Sequence, residues 1–172
     1  MALTNQTGIP IARYTVGADS QVTNTASETA HTALTLISTD INTARRVVRF
    51  CARLFCDSDN AGDTLTLRVR LGAAGVGGTV VFTSTTFDAV ANDSYILEGE
   101  IMIRTVGGGG TFYSYARLWN ETGADTISFS SVAAGAVDTT LARDLTVTST
   151  WSAAAGADQV TLRSFWAEVM SA

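Results

Sequence analysis

The chain has no lysine: all 11 of its basic residues are arginine. Charge of either sign is scarce, 16% of residues against an ordinary share of about 25%, so much of the surface must be Thr, Ser, Ala and Gly. Charge keeps a lone protein in solution, and a chain packed against neighbours needs less of it. Arginine without lysine suits that setting, because the planar, weakly hydrated guanidinium is enriched at protein interfaces where lysine is depleted. A source rich in G and C codons gives the same bias. A net charge of −5 argues against the basic face that a nucleic-acid partner requires.

Other scarcities narrow the chemistry. With the single histidine His31, the chain can build neither a His-based metal cluster nor a triad supported by a second histidine, although one triad could use it. His31 lies in the polar segment Glu28-Thr29-Ala30-His31-Thr32 and reads as a solvated strand-edge residue. Cys51 and Cys56 stand in one extended run and point to opposite faces, so no disulfide joins them. Free thiols suit a reducing compartment. No segment approaches the roughly 18 apolar residues of a membrane span. The start, MALTNQTGIPIARYTVG, lacks a basic head followed by an apolar run, so the expectation is a protein made and folded in the cytosol. Helical periodicity, repeats and linkers are missing too.

What remains is β-structure. A chain of 172 residues fits one domain, which at this size buries roughly 70% of the surface its unfolded chain exposes. Residues 1–29 are polar, with apolar residues only at Ile9-Pro10-Ile11 and Tyr14-Thr15-Val16, and read as an extended arm. That arm is either disordered alone or laid along a neighbouring subunit. The domain proper is expected over residues 30–172, opening with a strand at Thr32–Ile37 and a polar turn at Ser38–Thr43.

Over Arg45–Cys56 the residues Val48, Phe50, Ala52, Leu54 and Cys56 share one face, and Arg45, Arg49 and Arg53 share the other. Thr64–Leu71 alternates more cleanly, with Leu65, Leu67, Val69 and Leu71 inward. After a Gly/Ala turn, Thr79–Thr83 returns. Tyr95–Val106 puts Tyr95, Leu97, Gly99, Ile101 and Ile103 on one side. Gly107–Gly110 is a hairpin turn; no helix or Lys-Ser/Thr follows to make it a phosphate cradle. Thr111–Trp119 sets Tyr113, Tyr115, Arg117 and Trp119 opposite Phe112, Ser114, Ala116 and Leu118, and if the smaller side is buried an aromatic stripe lies at the surface. A short strand at Thr126–Ser130, a loop at Ser131–Thr140 and a C-terminal hairpin over Leu145–Met170 complete the chain. About nine regularly spaced strands are the mark of an antiparallel sandwich or barrel.

In that hairpin, Leu145, Val147, Ser149 and Trp151 alternate with Thr146, Thr148 and Thr150, implying one buried and one hydroxyl-bearing face. The second strand changes parity, from Val160 and Leu162 to Phe165, Ala167 and Val169. A bulge near Arg163-Ser164 is therefore predicted, turning Trp166 and Met170 outward.

Catalysis finds little support. Glu98 and Glu100 share a side about 7 Å apart, a spacing that superficially suits an inverting glycosidase, but such pairs are more often cross-strand partners for arginine. The loop Asp57-Ser58-Asp59-Asn60-Ala61-Gly62-Asp63 has carboxylates for calcium without the terminal Glu of the helical calcium loop, and acidic turns arise from turn chemistry alone. The expectation is no catalytic residue, no cofactor and no metal. The stripe of Tyr113, Tyr115 and Trp119 can stack on sugar faces, anchor a protein interface or belong in part to the core.

Several stretches together carry a family likeness. They are Ala18-Asp19-Ser20-Gln21-Val22-Thr23-Asn24-Thr25 with Ser27-Glu28-Thr29, Leu65-Thr66-Leu67-Arg68-Val69-Arg70-Leu71-Gly72, Leu97-Glu98-Gly99-Glu100-Ile101 with Arg104-Thr105-Val106-Gly107, and Val137-Asp138-Thr139-Thr140 ahead of Leu145–Ser152, then Val160-Thr161-Leu162-Arg163 and Glu168-Val169. From about residue 18 to the end the chain resembles a recurrent type of tailed-bacteriophage virion protein. The resemblance implies an antiparallel jelly-roll β-sandwich of about 8–10 strands working as an oligomer, a trimer, on the virion. Such members look like head decoration (cement) proteins that bind the major capsid protein and reinforce contacts between subunits, or like tail-fibre and spike modules that recognise a host glycan or protein. A single domain with its own Met favours decoration of the capsid surface, with no nucleic-acid or membrane partner and with residues 1–29 as a candidate contact. The candidate interface combines Tyr113, Tyr115, Arg117 and Trp119 with Trp166 and Met170, and with the row Arg45, Arg49 and Arg53.

Overall fold

A computed structural model describes residues 10–58, 62–89, 92–121, 126–154, 156 and 158–170. Alternation sets four of its long strands. Strand β5 (Val47–Asp57) buries Val48, Phe50, Ala52, Leu54 and Cys56 and turns Arg49 and Arg53 to water. Strand β6 (Thr64–Gly72) buries Leu65, Leu67, Val69 and Leu71. Strand β9 (Asp93–Thr105) buries Tyr95, Leu97, Ile101 and Ile103, with Gly99 between them. On β10 (Thr111–Asn120) the smaller side is the buried one: Phe112, Ser114, Ala116 and Leu118 go inward, and Tyr113, Tyr115 and Arg117 are exposed.

Around these lie β1 (Pro10–Val16), β2 (Ser20–Thr23), β3 (Thr29–Ala30), β4 (Leu34–Leu36), a one-turn helix α1 (Ser38–Ile41), β7 (Thr79–Thr83), β8 (Phe87–Asp88), β11 (Thr126–Ala136), β12 (Arg143–Trp151) and β13 (Gln159–Met170). They form two antiparallel sheets. The larger runs β1-β13-β5-β9-β10-β11, with β2 also on β13; the smaller runs β3-β12-β6-β7, with β4 also on β12 and β8 on β6. The first and last strands are neighbours in the larger sheet, the next pair inward (β3/β4 and β12) are neighbours in the smaller, and β5 and β6 continue the two series. That nesting is a jelly roll. The hairpin of β10 and β11 widens the larger sheet beyond it. Apolar faces of both sheets meet in one core that includes Phe50, Tyr95, Phe112, Trp151 and Phe165.

The predicted C-terminal hairpin is not formed. Strand β12 lies in the smaller sheet, against β6 on one side and β3 and β4 on the other, whereas β13 lies in the larger sheet between β1 and β5. The small-residue link after Trp151 crosses from one sheet to the other instead of reversing within one. Alternation shows which side of a strand is apolar, not which strand it pairs with, and both inner faces look alike in sequence.

The hydroxyl face of β12 is also less open than expected. Thr146 and Thr148 keep 1% and 0% of their surface: Arg70 and Arg68 stand beside them in register on β6, and Glu28 accepts a hydrogen bond from the Thr148 hydroxyl. The expected strand at Thr32–Ile37 is only the three-residue β4, and β3 forms just ahead of it at Thr29–Ala30. The expected loop at Ser131–Thr140 is strand as far as Ala136, where β11 follows β10. Pro10–Val16 and Ser20–Thr23, within the segment read as an arm, pair with the chain's own β13.

The bulge falls where the parity change put it: the pairing of β13 with β5 skips a residue between Leu162 and Ser164, leaving Arg163 out of register and exposed. Phe165, Ala167 and Val169 thereby join the core. The glycine run turns β9 into β10, with Gly107 at φ +108°, and Thr139 holds it by accepting from the Gly107 amide at 2.8 Å.

Candidate functional site

The outward face of the larger sheet carries most of the predicted surface residues, and strand register orders them into rows. One row crosses six strands as Arg13, Glu168, Arg49, Glu100, Tyr115 and Ser131. Its charges alternate, and neighbours pair: Arg13 with Glu168 at 3.8 Å and Arg49 with Glu100 at 2.7 Å. Burial, with the neighbouring Glu100 carboxylate adding to it, holds the Tyr115 phenol above the usual range. The next row is Thr15, Trp166, Cys51, Glu98, Arg117 and Phe129. Here Arg117 reaches Glu98 with Nε at 2.8 Å and Nη2 at 2.6 Å, and its guanidinium lies 4.5 Å from the centre of the Trp119 ring.

Between these rows the sheet forms an open groove of about 230 Å³, floored by backbone at Phe50 and Gly99 and walled by Tyr115, Phe129 and Trp166. Tyr115 and Phe129 stack, 6.4 Å between ring centres and 29° between planes. Arg13 stands 5.8 Å over Trp166. Cys51 opens toward the groove, its thiol pushed up chiefly by burial and also by Glu98.

A third row, Pro10, Met170, Val47, Met102 and Tyr113, is apolar throughout. Met102 is 45% exposed and Tyr113 39%. Met170 keeps only 8%: β1 sets Pro10 beside it and Val47 flanks its other side, so it is not the free outward anchor expected. The structure thus gathers Arg49, Tyr115, Arg117 and Trp166 at the groove. Tyr113 and Met170 stand one row away. Arg53 and Trp119 lie in a row on the far side, both in register with Ile96, and Arg53 pairs with Glu121 at 3.2 Å. Arg45 stands apart, exposed ahead of β5 at φ 69°, its amide bonded to the Ile103 carbonyl.

Sequence reasoning missed Phe129, which at 66% is the most exposed large hydrophobic side chain among the described residues. Its signal was a lone aromatic among serines, Ser128-Phe129-Ser130, readable only once β11 is registered against β10 and Phe129 faces Arg117. Glu98 and Glu100 are the cross-strand partners of Arg117 and Arg49, respectively. The arginines of β6 serve Glu28 instead, Arg70 through two bonds of 2.7 and 2.8 Å. His31 is not solvated: it is 4% exposed, with Nδ1 2.9 Å from the Ser20 carbonyl and Nε2 3.2 Å from Ser149 Oγ. The reason is the roll itself, which lays the segment between β3 and β4 against β12. Residues 59–61 of the acidic loop lie outside the described residues; among those described no cluster of three or more metal-binding side chains occurs.

No family model matches the sequence, and no curated protein does. Among solved structures the chain is similar to the CBM2 module of the evolved Dit of Lactobacillus casei BL23 phage J-1, at 13% identity over 92% of this chain and 76% of that one, with a TM-score of 0.44. It is also similar to infectious bursal disease virus Gx strain, at 15% identity over 92% of this chain and 42% of that one, TM-score 0.35. A third is peanut lectin with a nine-residue peptide, at 10% identity over 90% and 98%, TM-score 0.34. Likenesses this distant say nothing about what the groove binds.

Proposed function

We propose that the chain is a structural protein of a tailed-phage virion, a capsid decoration protein that binds the head surface as a trimer and braces contacts between capsid subunits. The observation that carries this reading is the outer face of the larger sheet. The charges of its two groove rows are paired among themselves and stand beside an apolar row and exposed rings. A face of that kind gains little from a charged ligand and suits a broad protein partner with aromatic and arginine contacts. The scarcity of charge and the family resemblance in the strand motifs support the same reading. Many weak copies suffice: each contact need only bury about 1,000 Å² when avidity adds the rest.

The test is cosedimentation with heads stripped of decoration. The full chain is expected to saturate the lattice, and a variant lacking residues 1–9 to lose occupancy if the arm makes the contact. The truncation stops short of Pro10 because β1 pairs with β13 and carries the hydrogen bond from Tyr14 to Asp40. Absence of binding by the full chain overturns the reading. The groove favours a second reading, a tail-fibre or spike module that recognises a host surface. Its test is phage adsorption in the presence of excess purified protein, which should compete.

A further inference from the structure

We infer that the groove between Tyr115, Phe129 and Trp166 binds a neutral pyranose ring. A sugar ring has one face of C–H groups and a rim of hydroxyls, and the groove offers a match for each. The stacked rings of Tyr115 and Phe129 give a flat apolar wall with Trp166 across the floor. Two ion pairs border the floor: Arg49–Glu100 in one row and Arg117–Glu98 in the next. A guanidinium paired with a carboxylate still holds free N–H donors and free acceptor lone pairs side by side, and vicinal hydroxyls, each both donor and acceptor, bridge such a pair.

Charge decides the ligand class. Each arginine at the groove is already matched to a carboxylate, so neither an anionic nor a cationic ligand finds an uncompensated partner. A neutral polyol displaces only water. Size points the same way: about 230 Å³ is below the 300 Å³ or so at which drug-sized pockets begin and leaves no trench for a helix or an added strand. The inference rests on the host-recognition reading for its biological role but not for the binding itself, so the two fail separately.

The experiment follows amide and indole NMR signals of the full chain during titration with the methyl glycosides of glucose, galactose, rhamnose and N-acetylglucosamine, with N-acetylneuraminic acid as the charged comparator. At least one neutral sugar is expected to shift the Trp166 indole and the amides of Cys51 and Glu98 saturably in the millimolar range. Phe129→Ala should weaken that binding on the order of tenfold. Tyr115→Phe, which keeps the ring, should lose less than Tyr115→Ala, and Tyr113→Ala, one row away, should change it less than twofold. No shift with any neutral sugar at tens of millimolar overturns the inference, as does tighter binding of the charged comparator. So does a shift that Phe129→Ala leaves unchanged in a folded variant. If Phe129→Glu instead lowers the solution mass, a second copy occupies the groove and the inference fails. Sugar binding without competition for adsorption keeps the inference and removes the host-recognition reading.

Discussion

Glu28 and Arg70 join a loop to a sheet by a two-pronged bond. The Arg70 Nε and Nη2 donate to the two carboxylate oxygens of Glu28 at 2.7 and 2.8 Å, and Thr148 adds a third donor at 2.5 Å. Arg68 approaches the same carboxylate at 3.6 Å. The pair is mostly out of water, with side-chain exposures of 21% for Glu28 and 16% for Arg70. It fastens the segment ahead of β3 across the outer side of the smaller sheet.

Replacing Glu28 by Gln should therefore cost about 1.5–3 kcal/mol, since two guanidiniums lose a shared carboxylate at a poorly hydrated site. Glu121→Ala, which breaks an ion pair whose side chains are 39% and 58% exposed, should cost less than about 1 kcal/mol. Urea unfolding of the two variants measures the difference. The contribution of Glu28 also depends on pH. Its hydrogen bond from Arg70 holds the carboxyl below its ordinary 4.5, so the stabilisation is complete above that value and is lost as pH falls through the lower folded value.

Gly99 sits where strands β9 and β10 and the ring of Phe50 close on one another. A methyl group there would stand 2.5 Å from the Tyr115 carbonyl oxygen, 2.5 Å from the Ala116 Cβ and 2.7 Å from the Phe50 ring. Backbone cannot yield as a side-chain tip does. Gly99→Ala is expected to destabilise by about 3 kcal/mol or more, a fall of roughly 6–12 °C in Tm for a chain of this size. Thermal unfolding followed by circular dichroism checks it.

The difference between what was readable and what was not has a physical basis. Residue alternation reports burial, so the inner faces of β5, β6, β9 and β10 could be read directly, and the parity change at Arg163 gave the bulge. Pairing partners are a property of two strands at once. Leu145–Trp151 and Val160–Met170 both present apolar faces, and nothing local says that a sheet boundary lies between them. Strand β11 beyond Ser131 is Val132-Ala133-Ala134-Gly135-Ala136, too small and uniform to show a period; it is a strand because β10 offers it an edge. Phe112 lies over Gly135, with no room for a Cβ between them, a relationship visible only once the register is known. The groove was half legible: Tyr115, Trp166 and its arginines stood out, but Phe129 and the matching of each arginine to a glutamate required the cross-strand rows.

His31 gives the protein a pH dependence on the acid side of neutrality. Its Nδ1–H donates to the Ser20 carbonyl, which leaves Nε2 to accept from Ser149, and burial lowers its pKa from the ordinary 6.5. The unfolded chain therefore binds a proton that the folded one refuses. Stability is full above 6.5 and declines as pH falls toward the lower folded value, where the loss levels off. Urea midpoints at pH 7.5 and 5.5 (about one unit either side of that ordinary value) should differ in the native chain and differ less in His31→Gln.

The two thiols should react in sequence rather than together. Cys56 is fully buried in the core, and desolvation, with Asp93 adding to it, pushes its thiol far above the usual range. Cys51, half-buried on the opposite face of β5, has its thiol raised less, with Glu98 opposing ionisation beside it. Since the thiolate is the reacting species, a thiol reagent at neutral pH should modify Cys51 slowly in the folded protein and Cys56 only through unfolding. Mass spectrometry of the native chain should show a single adduct on Cys51 and a second only on adding urea. Because Cys51 lines the groove, anything seated between Tyr115 and Trp166 should slow that first adduct and leave the second untouched. Equal rates at the two positions would mean that β5 opens as a whole, and the core around Phe50 and Leu54 would then be far looser than its burial implies.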